Sequence, residues 1–458
     1  MAGVRTGVLL AVTPPGDAVI AATVPVMSST GFLPARWPLP MVNPVRDYDW
    51  GSATVLARMQ GRQATGRPEA ELWMGAHPAA PSALEGPDGG LHRLDERVAA
   101  APEELLGADV AARFDGRLPF LLKVLAISRP LSVQVHPAAE RARTAYEDEA
   151  QVLGDHRYSD PYPKPELLYA LEAVDALCGF RPAAEAARLL ALLDGPRAAA
   201  VAEPLRRHAG GEEYEGSPGS RADGETACLE EAFQVLVTWP DDDRPAFAAD
   251  MAREARRLLR EDPSRIPGGR LTAAERRALI WVSRLAQQHP KDPLVVAPLL
   301  LDLVLLRPGE TLYVPAGAPH AYLHGTGVEI MANSDNVLRA GLTHKAVAVE
   351  ELLHVVDGRS RPERDLPEIE LGPGEVAWRP PLPWFQLTRL RPAGQALTAH
   401  PSVTGPQVLL CTAGEVTVGC PDGSRLVLRA GSSAFVGASA GPVEVRGYGE
   451  LFRAAVGC

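Results

Sequence analysis

Three short stretches of this chain carry side chains whose types and spacing suit a metal ion. In Leu131-Ser-Val-Gln-Val-His136 the apolar and polar residues alternate with a period of two. A β-strand with that period puts Ser132, Gln134 and His136 on one face and Leu131, Val133 and Val135 on the other. Three polar side chains on one face suit the wall of a cavity better than a core. The segment Gly309 to His320 has the spacing G-x5-P-x-G-x2-H, in which a strand ends at a Pro-Gly turn that presents His320 back towards the interior. In Tyr162-Pro-Lys-Pro-Glu166 the two prolines hold the backbone extended and fix where Lys164 and Glu166 point. Two neutral imidazoles, an amide oxygen and a carboxylate leave room for water or substrate, the open arrangement of a catalytic metal. Zinc fits this donor set best, with iron and manganese as the alternatives for nitrogen and oxygen ligands.

The elements that must position these groups follow from periodicity. From Met41 to about Arg181, short β-rich runs such as Leu118 to Ile127 and Pro130 to His136 are separated by turn residues, and an antiparallel β unit is expected. From about Pro182 to Pro290 the spacing becomes helical, over Ala183 to Leu193, Phe247 to Leu259 and Ala273 to Ala286. Thr272 and Glu275 make a capping box for the last of these. The stretch Gly210 to Gly224 reads as a loop. Strand character returns at Leu301 to Val314, then in Val408 to Cys411, Glu415 to Cys420, Arg425 to Leu428 and Pro442 to Arg446. The fold class is mainly β with an α-helical insert between two β segments, and the spacing of the C-terminal strands suits a sandwich or jelly roll. The last ninety or so residues hold a single histidine, His400, and are assigned a structural role.

Composition excludes several classes. The 458 residues carry 46 Lys and Arg against 57 Asp and Glu, a formal net charge of −11, which disfavours nucleic acid as a partner. Five scattered cysteines form no CxxC pair, so neither a disulfide framework nor a thiolate zinc site is expected, and a reducing cytoplasm is the simplest compartment. The longest strongly apolar run, Leu294 to Leu306, is interrupted by Pro298 and Asp302 and is shorter than the roughly 20 residues a spanning helix needs. Residues 1–40 read as a loosely ordered extension, with a secretory signal as the alternative. Only four of the basic residues are lysine (Lys123, Lys164, Lys291 and Lys345). Where arginine serves almost every positive charge, a retained lysine marks a place for a compact, deprotonatable ammonium.

The Gly309 to His320 spacing resembles the second metal-binding motif of cupin barrels. A longer series of segments, in order, is similar to type I mannose-6-phosphate isomerases: Tyr48-Asp-Trp-Gly-Ser, Ala70-Glu-Leu-Trp-Met-Gly-Ala-His-Pro, Leu118-Pro-Phe-Leu-Leu-Lys-Val-Leu, Leu131-Ser-Val-Gln-Val-His-Pro, Lys164-Pro-Glu, Cys178-Gly-Phe, Pro319-His-Ala-Tyr, and Asn333-Ser-Asp-Asn-Val-Leu-Arg-Ala-Gly-Leu-Thr-His-Lys. The resemblance implies a catalytic cupin domain (41–182 and 301–350), a helical insert (183–300) and a C-terminal cupin-like domain (351–458). It also implies one zinc held by Gln134, His136, Glu166 and His320, and a catalytic Arg339. The sequence departs from the family at Tyr162-Pro163, where Asn-His is common, and at His344, which stands in a segment usually reading Thr-Pro-Lys.

The implied reaction interconverts mannose 6-phosphate and fructose 6-phosphate through an enediol, so a base, an oxyanion partner and a phosphate anchor are needed. Arg339 is expected to stabilise the enediolate, since a guanidinium stays protonated and cannot be the base. Lys164 or Glu329 is expected to shuttle the proton, and Ser132, Lys123 and Lys345 to bind the phosphate. Glu71 and Trp73 are expected to pack and bond the domain together. The partners expected are a small sugar phosphate and neither nucleic acid nor membrane, for a monomer. The alternative class is a two-cupin protein that binds metal and sugar without catalysis; other metal-dependent cupin enzymes, oxygenases among them, commonly use more histidine and fewer carboxamide ligands.

Overall fold

The computed structural model describes residues 37–457, apart from 87–88, 152–156, 210–220, 268, 361–362, 365 and 401–402. Among the described residues the strands form two 11-stranded sheets. No helix among them is long and apolar enough to cross a membrane.

The sheet that concerns the site is organised around one long strand, His320–Ala332. Its first residues pair with Val133–Val135 and Val174–Phe180, and its later ones with Phe120–Ile127 and Glu166–Ala170. The change of partners falls at Gly325, whose φ is +128°. A Cβ there would lie 2.5 Å from the carbonyl oxygen of Ala173, so only glycine lets the strand turn this corner. One strand thereby supplies residues to both walls of the same cavity, His320 near its start and Glu329 near its end.

The Phe120–Ile127 strand is buried along its whole length, as its nearly unbroken apolar sequence requires of a strand covered on both faces. Leu125 and Ile127 pack with Leu168, Val174, Leu312 and Tyr322 in a core inside this unit. Val133 and Val135 point the other way, into a larger core shared with Phe180, Phe233, Trp281 and Leu299. The alternation read from the sequence therefore divides this strand between insert and cavity. Leu131 departs from it: the strand begins at Val133, and Leu131 lines the cavity beside Ser132.

The helical insert contains Ala183–Leu190, Pro196–Ala209, Arg221–Val237, Arg244–Arg260 and Ala273–Gln288. The capping box is formed, with the Thr272 hydroxyl accepting from Glu275 N–H at 3.2 Å and the Glu275 carboxylate accepting from Thr272 N–H at 2.7 Å. The loop expected over 210–224 lies outside the described residues as far as 220, and its last four residues belong to the Arg221–Val237 helix. Gly224 is a helical residue there, and the His208 ring sits 3.2 Å from where its Cβ would be, so the glycine serves a close crossing rather than a turn.

The second sheet holds the C-terminal strands. Two runs read as separate, Val408 to Cys411 and Glu415 to Cys420, are one strand, Gln407–Gly419, with a register shift between Cys411 and Ala413. Pro442 to Arg446 is the approach to the long strand Glu444–Ala455. Three N-terminal strands join this sheet, Leu39–Val42, Ala83–Glu85 and Leu91–Arg93. The extension expected over 1–40 lies outside the described residues up to position 36, but its last four residues are part of the fold. Trp37 is buried against Phe435, and Leu39 pairs with Phe435 across the ladder.

Candidate metal centre

His320 and Arg339 lie on either side of Gln134, each its direct partner across an antiparallel ladder. Opposed residues in such ladders share a face, so these three side chains form one row. His136 follows Gln134 by two positions on the same face, as the period-two reading requires. Glu166 opens the strand Glu166–Ala170 next to Met331. The result is a cluster of His136, Glu166 and His320, all buried, whose ligand atoms lie within 4.8 Å of one another. His136 Nε2 is 3.2 Å from Glu166 Oε1, and His320 Nε2 is 3.5 Å from Glu166 Oε2.

The other ring nitrogens show that the donor set fits a metal. His136 Nδ1 is 2.8 Å from the carbonyl oxygen of Asn336, and His320 Nδ1 is 3.0 Å from that of Ala318. A carbonyl only accepts, so each Nδ1 carries the proton and each Nε2 turns its lone pair to the cluster, the arrangement that orients metal-bound imidazoles. Burial and the Lys164 ammonium push His136 down to about 3, which keeps it neutral. Burial would raise Glu166, but the Lys164 ammonium beside it holds it well below the usual carboxylate range. Gln134 donates from Nε2 to Ser132 Oγ at 3.3 Å, which leaves its amide oxygen as the group available to an ion. The turn before His320 is tied in place by Gly317 N–H to the His136 carbonyl at 2.9 Å and by Asp357 N–H to the Gly317 carbonyl at 3.0 Å. A Cβ on Gly317, at φ +79°, would meet Asp357 Cβ at 2.8 Å.

The cluster borders a cavity of about 60 Å³ lined by Ser132, Gln134, Lys164, Glu166, His320 and Glu329 together with Glu71, Lys123 and Tyr322. Lys164 Nζ donates to Glu166 Oε1 and lies 3.4 Å from His136 Nε2. Lys123 Nζ lies 3.4 Å from Glu329 Oε2 and 3.5 Å from Glu71 Oε2. Burial would lower Lys123, but these two carboxylates raise it above its ordinary value. Burial and the Glu166 carboxylate push Glu329 up to about 7, against the pull of Lys123 and Lys164. Burial lowers the Arg339 guanidinium, with Tyr48 opposing.

Most of the residues expected at the site are thus brought together. Lys345 is not on this cavity wall; it is exposed and borders a separate cavity of about 290 Å³ with Arg244, Asp292 and Thr343. Glu71 was expected to pack and bond the domain together; it is buried and bonded, and it also lines the cavity. Trp73 does pack, against Leu121 and Met331, and its indole donates to Glu71. The signal for Glu71 was present: Glu71 and Trp73 share a strand face, and Trp73 is the ladder partner of Lys123. At the departure from the family pattern, the Tyr162 ring has the Arg117 guanidinium 4.6 Å from its centroid and Trp384 at 5.8 Å.

Residues 39–183 match the model of the family described as phosphomannose isomerase type I, catalytic domain. The chain is 32% identical over 422 residues to mannose-6-phosphate isomerase of Escherichia coli (strain K12), covering 90% of this chain and 98% of that one. It is 32% identical over 392 residues to mannose-6-phosphate isomerase 1 of Arabidopsis thaliana, covering 81% and 83%. The chain belongs to the type I phosphomannose isomerase family. Its fold agrees with that membership: a crystal structure of a phosphomannose isomerase variant from Salmonella typhimurium superimposes with a TM-score of 0.77 at 29% identity, covering 92% of this chain and all of that one. A mannose 6-phosphate isomerase crystallised with zinc and yttrium matches with a TM-score of 0.76 at 30% identity, again covering 92% of this chain and all of that one. The expected architecture of two cupin-like jelly rolls with a helical insert holds for this family member.

Proposed function

We propose that this chain is a zinc-dependent aldose-ketose isomerase interconverting mannose 6-phosphate and fructose 6-phosphate. The observation that carries the reading is the buried His136, Glu166 and His320 cluster opening onto the cavity that also holds Lys164 and Glu329. Zinc bound by these three residues and Gln134 would supply a Lewis acid for the sugar oxygens. The remaining steps belong to the chain. Carbon 2 of the open-chain aldose must lose a proton and carbon 1 must gain one, through an enediol. Glu329, poised near neutrality inside the cavity, is the group we assign to that transfer, with Lys164 as the alternative. Arg339 shares the Gln134 row without being among the residues that line the cavity of about 60 Å³, and it is the group we assign to the negative charge that develops on the enediolate.

For the phosphate we assign Ser132 on the cavity wall. Lys123 already faces two carboxylates, so its charge serves Glu329 more than the phosphate. Lys345 would reach a phosphate only from the neighbouring cavity. The non-catalytic alternative loses support from Glu329, because a binding site for a neutral sugar ring gains nothing from a buried carboxyl pushed up to about 7.

We keep the division into catalytic cupin, helical insert and C-terminal cupin-like domain, with one amendment. The strands Leu39–Val42, Ala83–Glu85 and Leu91–Arg93 go with the C-terminal domain, since their hydrogen bonds run to its sheet. We also read the protein as a cytoplasmic monomer; Cys228, Cys411 and Cys420 are free thiols, as a reducing compartment allows. Fructose 6-phosphate formed from mannose 6-phosphate by the purified protein, lost on chelation, tests the function. Turnover that survives full metal removal would refute the zinc requirement, and absence of turnover with zinc bound would refute the substrate.

A further inference from the structure

Asn336 lies between the strands His320–Ala332 and Leu338–Gly341, and it is 1% exposed. Its polar atoms are all engaged. Oδ1 accepts from Ser159 N–H at 2.8 Å, and Nδ2 donates to the carbonyl oxygens of Asp160 at 2.6 Å and Tyr162 at 2.8 Å. Its own N–H donates to Ser334 Oγ at 3.2 Å. Its carbonyl accepts the Nδ1 proton of His136 at 2.8 Å.

These partners belong to different parts of the metal centre. Ser159 to Tyr162 lead directly into Lys164 and Glu166, with only prolines between, so fixing three of their backbone groups fixes where that stretch enters the cavity. Asp160 strengthens the link in the other direction: Oδ1 accepts from Ser334 Oγ at 2.8 Å and Oδ2 from Asp335 N–H at 2.9 Å. On the far side, the Asn336 carbonyl decides which nitrogen of His136 carries the proton. Three residues further on stands Arg339. The approach to the strand bearing one ligand and the carbonyl that holds the imidazole of another thus meet at one buried asparagine.

We propose that Asn336 is a positioning residue of the metal centre, whose side chain anchors the carbonyl that sets the His136 tautomer and holds the approach to Lys164 and Glu166. This rests on the reading of the centre as a zinc site. The side chain touches neither metal nor substrate, so its effect passes through the ligands. Partners of this kind typically change metal affinity by about 10- to 100-fold when removed.

The test measures zinc affinity by competition with a chelator of known strength, alongside kcat and KM at saturating zinc. Asn336→Ala removes all four side-chain hydrogen bonds, the fourth being from Nδ2 to Asp160 Oδ1 at 3.3 Å. Asn336→Asp keeps the acceptor for Ser159 but sets a carboxylate oxygen against two carbonyls, and it covers the case in which the alanine variant does not fold. Leu428→Ala, in the C-terminal sheet, serves as a control for lowered stability alone. The expected result is zinc binding weaker by about 10- to 100-fold in the Asn336 variants, with kcat reduced more than KM is raised, and parental zinc affinity in Leu428→Ala. Parental zinc affinity and kcat in the folded Asn336 variants would overturn the inference while leaving the zinc site standing. Equal loss of affinity in Leu428→Ala would also overturn it, by tracing the effect to stability. A parent protein that binds no zinc would instead remove the reading on which it rests.

Discussion

Arg339 lies directly across a β ladder from Gln134, so the one guanidinium expected in the chemistry and the one carboxamide expected on the metal share a strand face. The pairing is set by backbone hydrogen bonds, so the location of the guanidinium does not depend on a bound ion. Arg339→Ala is therefore expected to retain zinc while losing turnover by about 10²- to 10³-fold, the loss typical when a group facing a developing oxyanion is removed. Metal analysis and steady-state kinetics on the same preparation check this. Near-parental turnover would remove Arg339 from the mechanism.

Glu329 faces Lys123 across the Phe120–Ile127 ladder and is pushed up to about 7 by burial and Glu166. A base must be ionised to work, so activity should fall as pH drops through this pKa, and a nearby dication draws that limb lower. Glu329→Gln is expected to cost about 10²- to 10⁴-fold in kcat and to flatten the acid limb of the profile. A variant retaining both the rate and the limb would transfer the proton step to Lys164.

Glu351 is buried, accepts two hydrogen bonds from Arg141, at 2.9 and 2.5 Å, and a third from the Tyr158 hydroxyl. Burial would raise its pKa, but Arg141 and Tyr158 hold it below the ordinary value. A carboxyl lowered in the folded state stabilises above its unfolded pKa, about 4.3, and that stabilisation is lost as pH falls through the folded value. Glu351→Gln should be destabilised by about 1–3 kcal/mol at pH 7. The gap in unfolding temperature between variant and parent should narrow from pH 7 to pH 3. A constant gap would show that Glu351 acts by packing alone.

Thr272→Ala removes one half of the capping box of the Ala273–Gln288 helix. The expected cost is about 1 kcal/mol, read as a lower unfolding midpoint, with kcat and KM unchanged because the cap lies in the insert rather than on the cavity wall. A change in kcat would connect the insert to catalysis.

Much of this site was legible in the sequence because it is written in local geometry. Period two places Ser132, Gln134 and His136 together, and a Pro-Gly turn presents His320. Glu71 was legible in the same way but looked only structural, since its place on the cavity wall is beside Lys123, 52 positions away on a neighbouring strand. Lys345 was misplaced because only the path of the chain beyond Gly341 decides which cavity it borders. Gly224 looked like a loop residue for want of a tertiary reason to tolerate glycine in a helix; the crossing with His208 supplies one. The joining of Leu39–Val42 to the C-terminal sheet is a pairing across almost 400 residues, which no local pattern encodes.

The central claim is that His136, Glu166 and His320 hold the zinc on which isomerisation depends. Titrating zinc into metal-free protein while following fructose 6-phosphate formation from mannose 6-phosphate tests it most directly. Activity should rise linearly and stop at about one zinc per chain, and Glu166→Gln should neither bind zinc at that level nor recover. Full activity without zinc, or a Glu166→Gln variant that titrates like the parent, would contradict the account.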